Sequence, residues 1–155
     1  MRVADATLEK ILTEAAKVSP ERFGELKKEA EATHKPLQEV IVAHELASDD
    51  EITRLYAAHI GIQFVTLDPK DVTKQVISAL PERIARQYMA IVFKIDADGT
   101  HYLAVSDPDD LQSIDFIQKF TGNKLVVYAA SEDNILSCFQ AYREGSEDEI
   151  NKAIQ

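Results

Sequence analysis

Asp107, Asp109 and Asp110 crowd one turn of this sequence. Carboxylates so close suit general acid–base work or a magnesium ion. The same residues also spell a helix start, with Asp107 as cap, Pro108 as first helical residue, and Asp109 and Asp110 complementing the helix dipole; that structural role is the expectation here. Asp96-Ala97-Asp98-Gly99 resembles the opening of a calcium loop, yet His101 stands where that loop requires its glycine, so a hairpin turn is expected. His34, His44, His59 and His101 show no HExxH or paired-ligand spacing. Cys138 is the lone cysteine and lies on the apolar stripe of the last helix, where packing rather than nucleophilic chemistry is expected. Arg83 and Arg86, with Arg22, Lys27 and Lys28, are the residues that would grip an anion, but they read as solvated helix faces. Neither GxxxxGK(S/T) nor GxGxxG occurs, and glycines 24, 61, 99, 122 and 145 sit singly at turns or breaks. The chain alone is therefore expected not to be an enzyme: no catalytic, metal or cofactor-binding residue is assigned.

The elements that carry these residues fall into two patterns. Sliding the chain against itself by 29 residues places Leu8, Ile11 and Leu12 on Leu37, Val40 and Ile41, Ser19 on Ser48, Phe23 on Ile52 and Leu26 on Leu55. Each copy reads as a short amphipathic helix, a break and a second helix. Ser19-Pro20 is a helix-start signal, and Ser48-Asp49-Asp50-Glu51 is a capping box. Ile52, Leu55, Tyr56 and either Ile60 or His59 then face one side, and Gly61 ends the helix. An extended apolar segment, Ile62 to Leu67, closes at Asp68-Pro69, which places the domain junction near residue 68.

Beyond it the period changes. Pro81-Glu82-Arg83 opens a helix to about Tyr88, Ala90–Ile95 is a strand, Asp96–Gly99 turns, and Tyr102–Val105 returns. A helix from Asp107-Pro108 carries Leu111, Ile114, Ile117 and Phe120 and stops at Thr121-Gly122-Asn123. Leu125–Tyr128 is a third strand, and Ser131 caps a helix with Ile135, Cys138, Phe139 and Tyr142 on one face. A helix between the second and third strands implies a right-handed crossover if they are parallel neighbours. The fold class is α+β: a helical bundle of two repeated helix pairs over residues 1–68, an α/β sandwich of order α-β-β-α-β-α over 69–143, and a charged linker over 144–155 toward a missing downstream domain.

Composition sets the outer bounds. The 155 residues carry 17 basic and 27 acidic side chains, a net charge of −10, with 45% apolar residues. That balance argues against nucleic acid and against an anionic membrane surface, because both need clustered Lys and Arg. One cysteine cannot close an internal disulfide, Met1-Arg2-Val3-Ala4-Asp5 lacks a secretory signal, and no uncharged run approaches the roughly 20 residues that span a bilayer. A reducing, cytoplasmic setting is the expectation.

In this order the elements resemble a known family. The two repeat copies, then Ile60-Gly61-Ile62-Gln63-Phe64-Val65-Thr66-Leu67, then Leu80-Pro81-Glu82 and Ala104 to Leu111, resemble the amino-terminal region of the assembly ATPases of type II secretion and type IV pili, the GspE/PilB group, whose first part is called MshEN. The resemblance implies a docking and regulatory region ahead of a RecA-like motor, with ATP and magnesium confined to that motor. It implies an inner-membrane assembly partner of GspL or PilM type, contact with the platform protein, a homo-hexameric parent, and a cytoplasmic location peripheral to the inner membrane. Some members bind cyclic di-GMP through a pattern near RLGxxLVxxGxIxxxxLxxxLxxQ in each copy. Here Thr7, Glu9, Ala16 and Ala30 replace its arginine, two glycines and glutamine in the first copy, and Pro36, Gln38, Glu45 and His59 do so in the second. Loss of the glycines and gain of Glu9 and Glu45 imply weak or absent binding.

Overall fold

The computed structural model describes residues 2–143, so the linker expected over 144–155 lies outside the described residues. The chain divides into two compact units between Gly61 and Ile62. In the first, α1 (Asp5–Glu14), α2 (Pro20–Thr33), α3 (Leu37–Ala43) and α4 (Asp49–Ile60) form a bundle. Its core takes the same positions from both repeat copies: Leu8 and Leu37, Ile11 and Val40, Leu12 and Ile41, Val18 and Ala47, Phe23 and Ile52 are all buried.

The repeat extends to individual hydrogen bonds. At the end of α1 the Ala16 N–H donates to Thr13 O at 3.0 Å and the Lys17 N–H to Leu12 O at 2.9 Å; at the end of α3 Glu45 donates to Val42 O at 3.0 Å and Leu46 to Ile41 O at 3.3 Å. Both ends are Schellman motifs, which satisfy helix carbonyls by turning one residue left-handed. That residue is Ala16 in one copy, φ 56°, and Glu45 in the other, φ 58°. At the helix starts, Ser19 Oγ accepts from the Arg22 N–H at 3.2 Å and Ser48 Oγ from the Glu51 N–H at 3.1 Å. Glu51 returns a carboxylate to the Ser48 N–H, completing the capping box.

The second unit holds a 3₁₀ turn at Pro69–Asp71, α5 (Lys74–Ile77), α6 (Glu82–Tyr88), β1 (Ala90–Ile95), β2 (His101–Val105), α7 (Leu111–Thr121), β3 (Leu125–Ala129) and α8 (Glu132–Cys138). The sheet order is β1-β2-β3, with β1 and β2 antiparallel and β2 and β3 parallel across the α7 crossover. A bulge at Phe93 shifts the β1–β2 register between Val92 and Lys94. Ile77, Leu80, Ile91, Leu103, Ile117 and Ile135 are buried in its core.

Three points differ from the sequence reading. The extended segment before Asp68 belongs with the sheet unit: Val65 N–H donates to Ala129 O at 2.9 Å, Ala129 N–H to Gln63 O at 2.8 Å, and Asn134 bonds both backbone groups of Leu67 at 2.7 and 2.8 Å. The junction therefore falls at residues 61/62 rather than near 68. A four-residue helix, α5, joins the expected order. Finally, α7 starts at Leu111 and its cap is Asp110, which accepts from the Ser113 N–H at 3.1 Å and Ser113 Oγ at 2.5 Å. Asp107 instead closes the preceding turn by accepting from the Asp109 N–H at 3.2 Å.

Candidate interaction site

Most residues singled out for chemistry sit in local structural contacts. Asp98 accepts from the Thr100 N–H at 3.0 Å and Asp96 from the Tyr102 hydroxyl at 2.7 Å, so both carboxylates serve the hairpin. The Thr100 hydrogen bonds hold the Asp98 carboxyl below its ordinary range, and those from Ser113 do the same for Asp110. Among the described residues no group of three or more His, Cys, Asp or Glu is placed to hold a metal ion. His44 Nε2 lies 2.6 Å from Glu29, and His101 Nδ1 lies 2.7 Å from Gly99 O, so these two rings sit in separate local contacts. Cys138 is fully buried, and burial pushes its thiol above the ordinary range, the reverse of what a nucleophile needs.

The basic residues do not converge. Arg22 pairs with Glu25 at 2.9 Å, Lys27 with Glu9 at 2.7 Å, and Arg86 with Glu82 at 3.1 Å while stacking over Phe139. All three pairs are largely exposed. The first unit does hold a cleft of about 380 Å³, lined by the bases Arg2, Lys27 and Lys35, the acids Asp5 and Glu31, and Ala30, Pro36 and Gln38 among others. Four of these, Lys27, Ala30, Pro36 and Gln38, fall within the two repeat motifs, one pair from each copy. Glu9 reaches one of them through its ion pair, and Gln38 Oε1 accepts from the Val3 N–H at 2.9 Å. His59 lies elsewhere, beside Ile11, Glu14 and Leu55. Arg2 and Lys35 escaped the sequence reading because no helical or strand period relates them to Lys27.

The second unit offers an exposed surface on α7. On α7, Leu111 is 72% exposed, Phe116 44% and Phe120 48%, and only Ile117 is fully buried. Phe116 stacks on Phe120 with ring centroids 6.3 Å apart and meets Tyr88 at 5.3 Å. Sequence periodicity groups Phe120 with Leu111, Ile114 and Ile117 and passes over Phe116.

The MshEN domain family model matches residues 60–149, more than half of the chain. The chain belongs to the MshEN domain family. The matched span begins at the junction and runs through the sheet unit, beyond the two repeat copies. Solved structures share the fold across both units. The structure of MshE with cdg aligns with a TM-score of 0.67 at 22% identity, covering 91% of this chain and 99% of that one. The N-terminal domain of XpsE aligns in one crystal form with a TM-score of 0.60 at 18% identity, covering 92% and 98%, and in another form with a TM-score of 0.51. No curated protein matches the sequence. The MshEN assignment and these folds support the GspE/PilB-type amino-terminal region expected from the repeat, the junction and the second half. Among the described residues no helix is long and apolar enough to cross a membrane.

Proposed function

We propose that this MshEN-family chain is a non-catalytic docking and regulatory region of a type II secretion or type IV pilus assembly ATPase. It binds a GspL- or PilM-type inner-membrane assembly protein from the cytoplasmic side, meets the platform protein, and couples that contact to a hexameric motor that holds ATP and magnesium. The observation that carries this reading is the family match over residues 60–149. The structural roles taken by Asp96, Asp98, Asp107, Asp110 and Cys138 are compatible with it. Titration calorimetry against the cytoplasmic region of the assembly protein from the same system is the test, with a dissociation constant in the micromolar range or tighter, about −8 kcal/mol, expected. Silence at 100-fold higher concentration, roughly the −5 to −6 kcal/mol range, sinks the reading.

A second reading, a cyclic dinucleotide sensor, is favoured by one specific likeness: MshE was solved with cdg, which we take to be cyclic di-GMP. Ala16 and Glu45 keep left-handed backbone at the motif's glycine positions, so the turn survives without glycine. Against it, Glu9 occupies Lys27, and Glu45 adds a carboxylate where a phosphate would approach. Weak or absent binding is the expected outcome of a cyclic di-GMP titration. Saturation at low micromolar ligand would make the sensor the better reading.

A further inference from the structure

Gly99 is the one glycine of the sequence that follows an Asp or Asn. The β1–β2 turn requires it, because φ at residue 99 is 90°. A glycine there also leaves its own amide nitrogen uncrowded by any side chain, and that nitrogen is the nucleophile nearest in the chain to the Asp98 carboxyl carbon. Asp98 itself is exposed, so water reaches it. Three hydrogen bonds close the turn: the Asp96 N–H donates to Thr100 O at 2.9 Å, the Gly99 N–H to Asp96 O at 3.0 Å, and the Thr100 N–H to Asp98 Oδ1 at 3.0 Å. Two of them engage the groups that would react. The Gly99 nitrogen keeps its proton on Asp96 O, and the Asp98 carboxyl is turned to Thr100. The contacts from Thr100, with Lys124 nearby, also hold that carboxyl below its ordinary range, whereas the neutral acid is the form that gives up its hydroxyl.

We infer that Asp98–Gly99 is a covalent modification site of this chain, an isoaspartate-forming bond that the β1–β2 turn holds shut and that reacts when the turn opens. In the first step the Gly99 nitrogen attacks Asp98 Cγ; the N–Cγ bond forms, the Cγ–OH bond breaks, and the amide proton and the hydroxyl leave together as water. In the second, water adds to one of the two carbonyls of the cyclic imide. Cleavage of the N–Cγ bond restores Asp98, and cleavage on the other side leaves the chain running through Cβ and Cγ, one carbon longer. No oxidant or cofactor enters. That extra carbon falls between strands paired Ile95 with His101 and Lys94 with Tyr102, where the length of the turn sets the register. This site is independent of the docking reading above.

The test incubates the intact chain in water enriched in oxygen-18 at pH 6 and 37 °C, in buffer and in 6 M urea. After digestion, mass spectrometry reads heavy oxygen at residue 98, and chromatography against a synthetic isoaspartyl peptide reads the isomer. Both are expected at residue 98 ahead of any other Asp, and about tenfold or more faster in urea than in buffer. Tyr102→Phe removes the 2.7 Å hydrogen bond from the Tyr102 hydroxyl to Asp96 and should speed the reaction severalfold in buffer while leaving the rate in urea unchanged. Asp98→Glu, whose ring would need one more carbon, should form no isomer. Isomerisation first at another Asp, or at none in either solution, overturns the site. Equal wild-type rates in buffer and urea, or a Tyr102→Phe chain no faster than wild type in buffer, overturn the hold of the turn over the reaction.

Discussion

Ala16 and Glu45 hold a left-handed backbone that an L side chain adopts at a cost of about 1 kcal/mol or more, and both side chains are exposed, so no packing offsets it. Ala16→Gly and Glu45→Gly should each stabilise the chain by about 0.5–1 kcal/mol, after the added freedom of the unfolded glycine is subtracted. Urea denaturation checks this, and a drop in midpoint would show that the side chains do something the hydrogen bonds do not reveal. Tyr142 provides a pH dependence. Its hydroxyl donates to Leu80 O at 2.5 Å, and burial, reinforced by the Glu82 carboxylate, pushes its pKa well above the usual tyrosine value. Because the native state holds that proton more tightly, the stabilisation is complete below about pH 10, the unfolded value, and is lost as pH rises beyond it. Tyr142→Phe should cost about 1–2 kcal/mol at neutral pH and flatten the alkaline loss, both readable from thermal melts between pH 8 and 11.

Helix starts marked by a full capping signal were legible in the sequence, and a run of equivalent carboxylates was not. Ser19-Pro20 and Ser48 to Glu51 name their caps without ambiguity, and the hydrogen bonds fall where the residue types require. Asp107-Pro108-Asp109-Asp110 offers three carboxylates in four residues, and only the path of the chain decides that Asp110 serves α7 while Asp107 closes a turn. Asp110→Ala should therefore lower the melting midpoint by about 2–4 °C, and Asp107→Ala should lower it less; the reverse order would restore Asp107 as the cap. Four residues, Lys74–Ile77, are barely one turn, too few for a helical period, which is why α5 was invisible. The same limit hid the aromatic strip: Leu111, Ile114, Ile117 and Phe120 recur at helical spacing, but spacing gives the angle between side chains and not which angle faces the core. The cleft holding Arg2, Lys27 and Lys35 is still further from sequence, because it is assembled from the segment before α1, a helix and a loop.

Each of the two units has its own core, one containing Phe23 and Leu26 and the other Leu103 and Ile135, so each should fold by itself. A fragment of residues 62–143 should melt cooperatively. One of residues 69–143 should lose at least about 2 kcal/mol, because it lacks the Gln63 and Val65 hydrogen bonds to Ala129, the two bonds between Leu67 and Asn134, and the burial of Leu67. Equal stability of the two fragments would move the boundary back to residue 68. The buried Cys138 has a different consequence. As the single sulfhydryl of the sequence, buried in the α8 core with burial raising its pKa, it should be silent toward maleimides while the fold holds. A cysteine introduced at the exposed Gln112 or Glu21 would then take a fluorophore alone on the otherwise native chain, while Cys138 becomes a built-in alarm whose labelling reports unfolding.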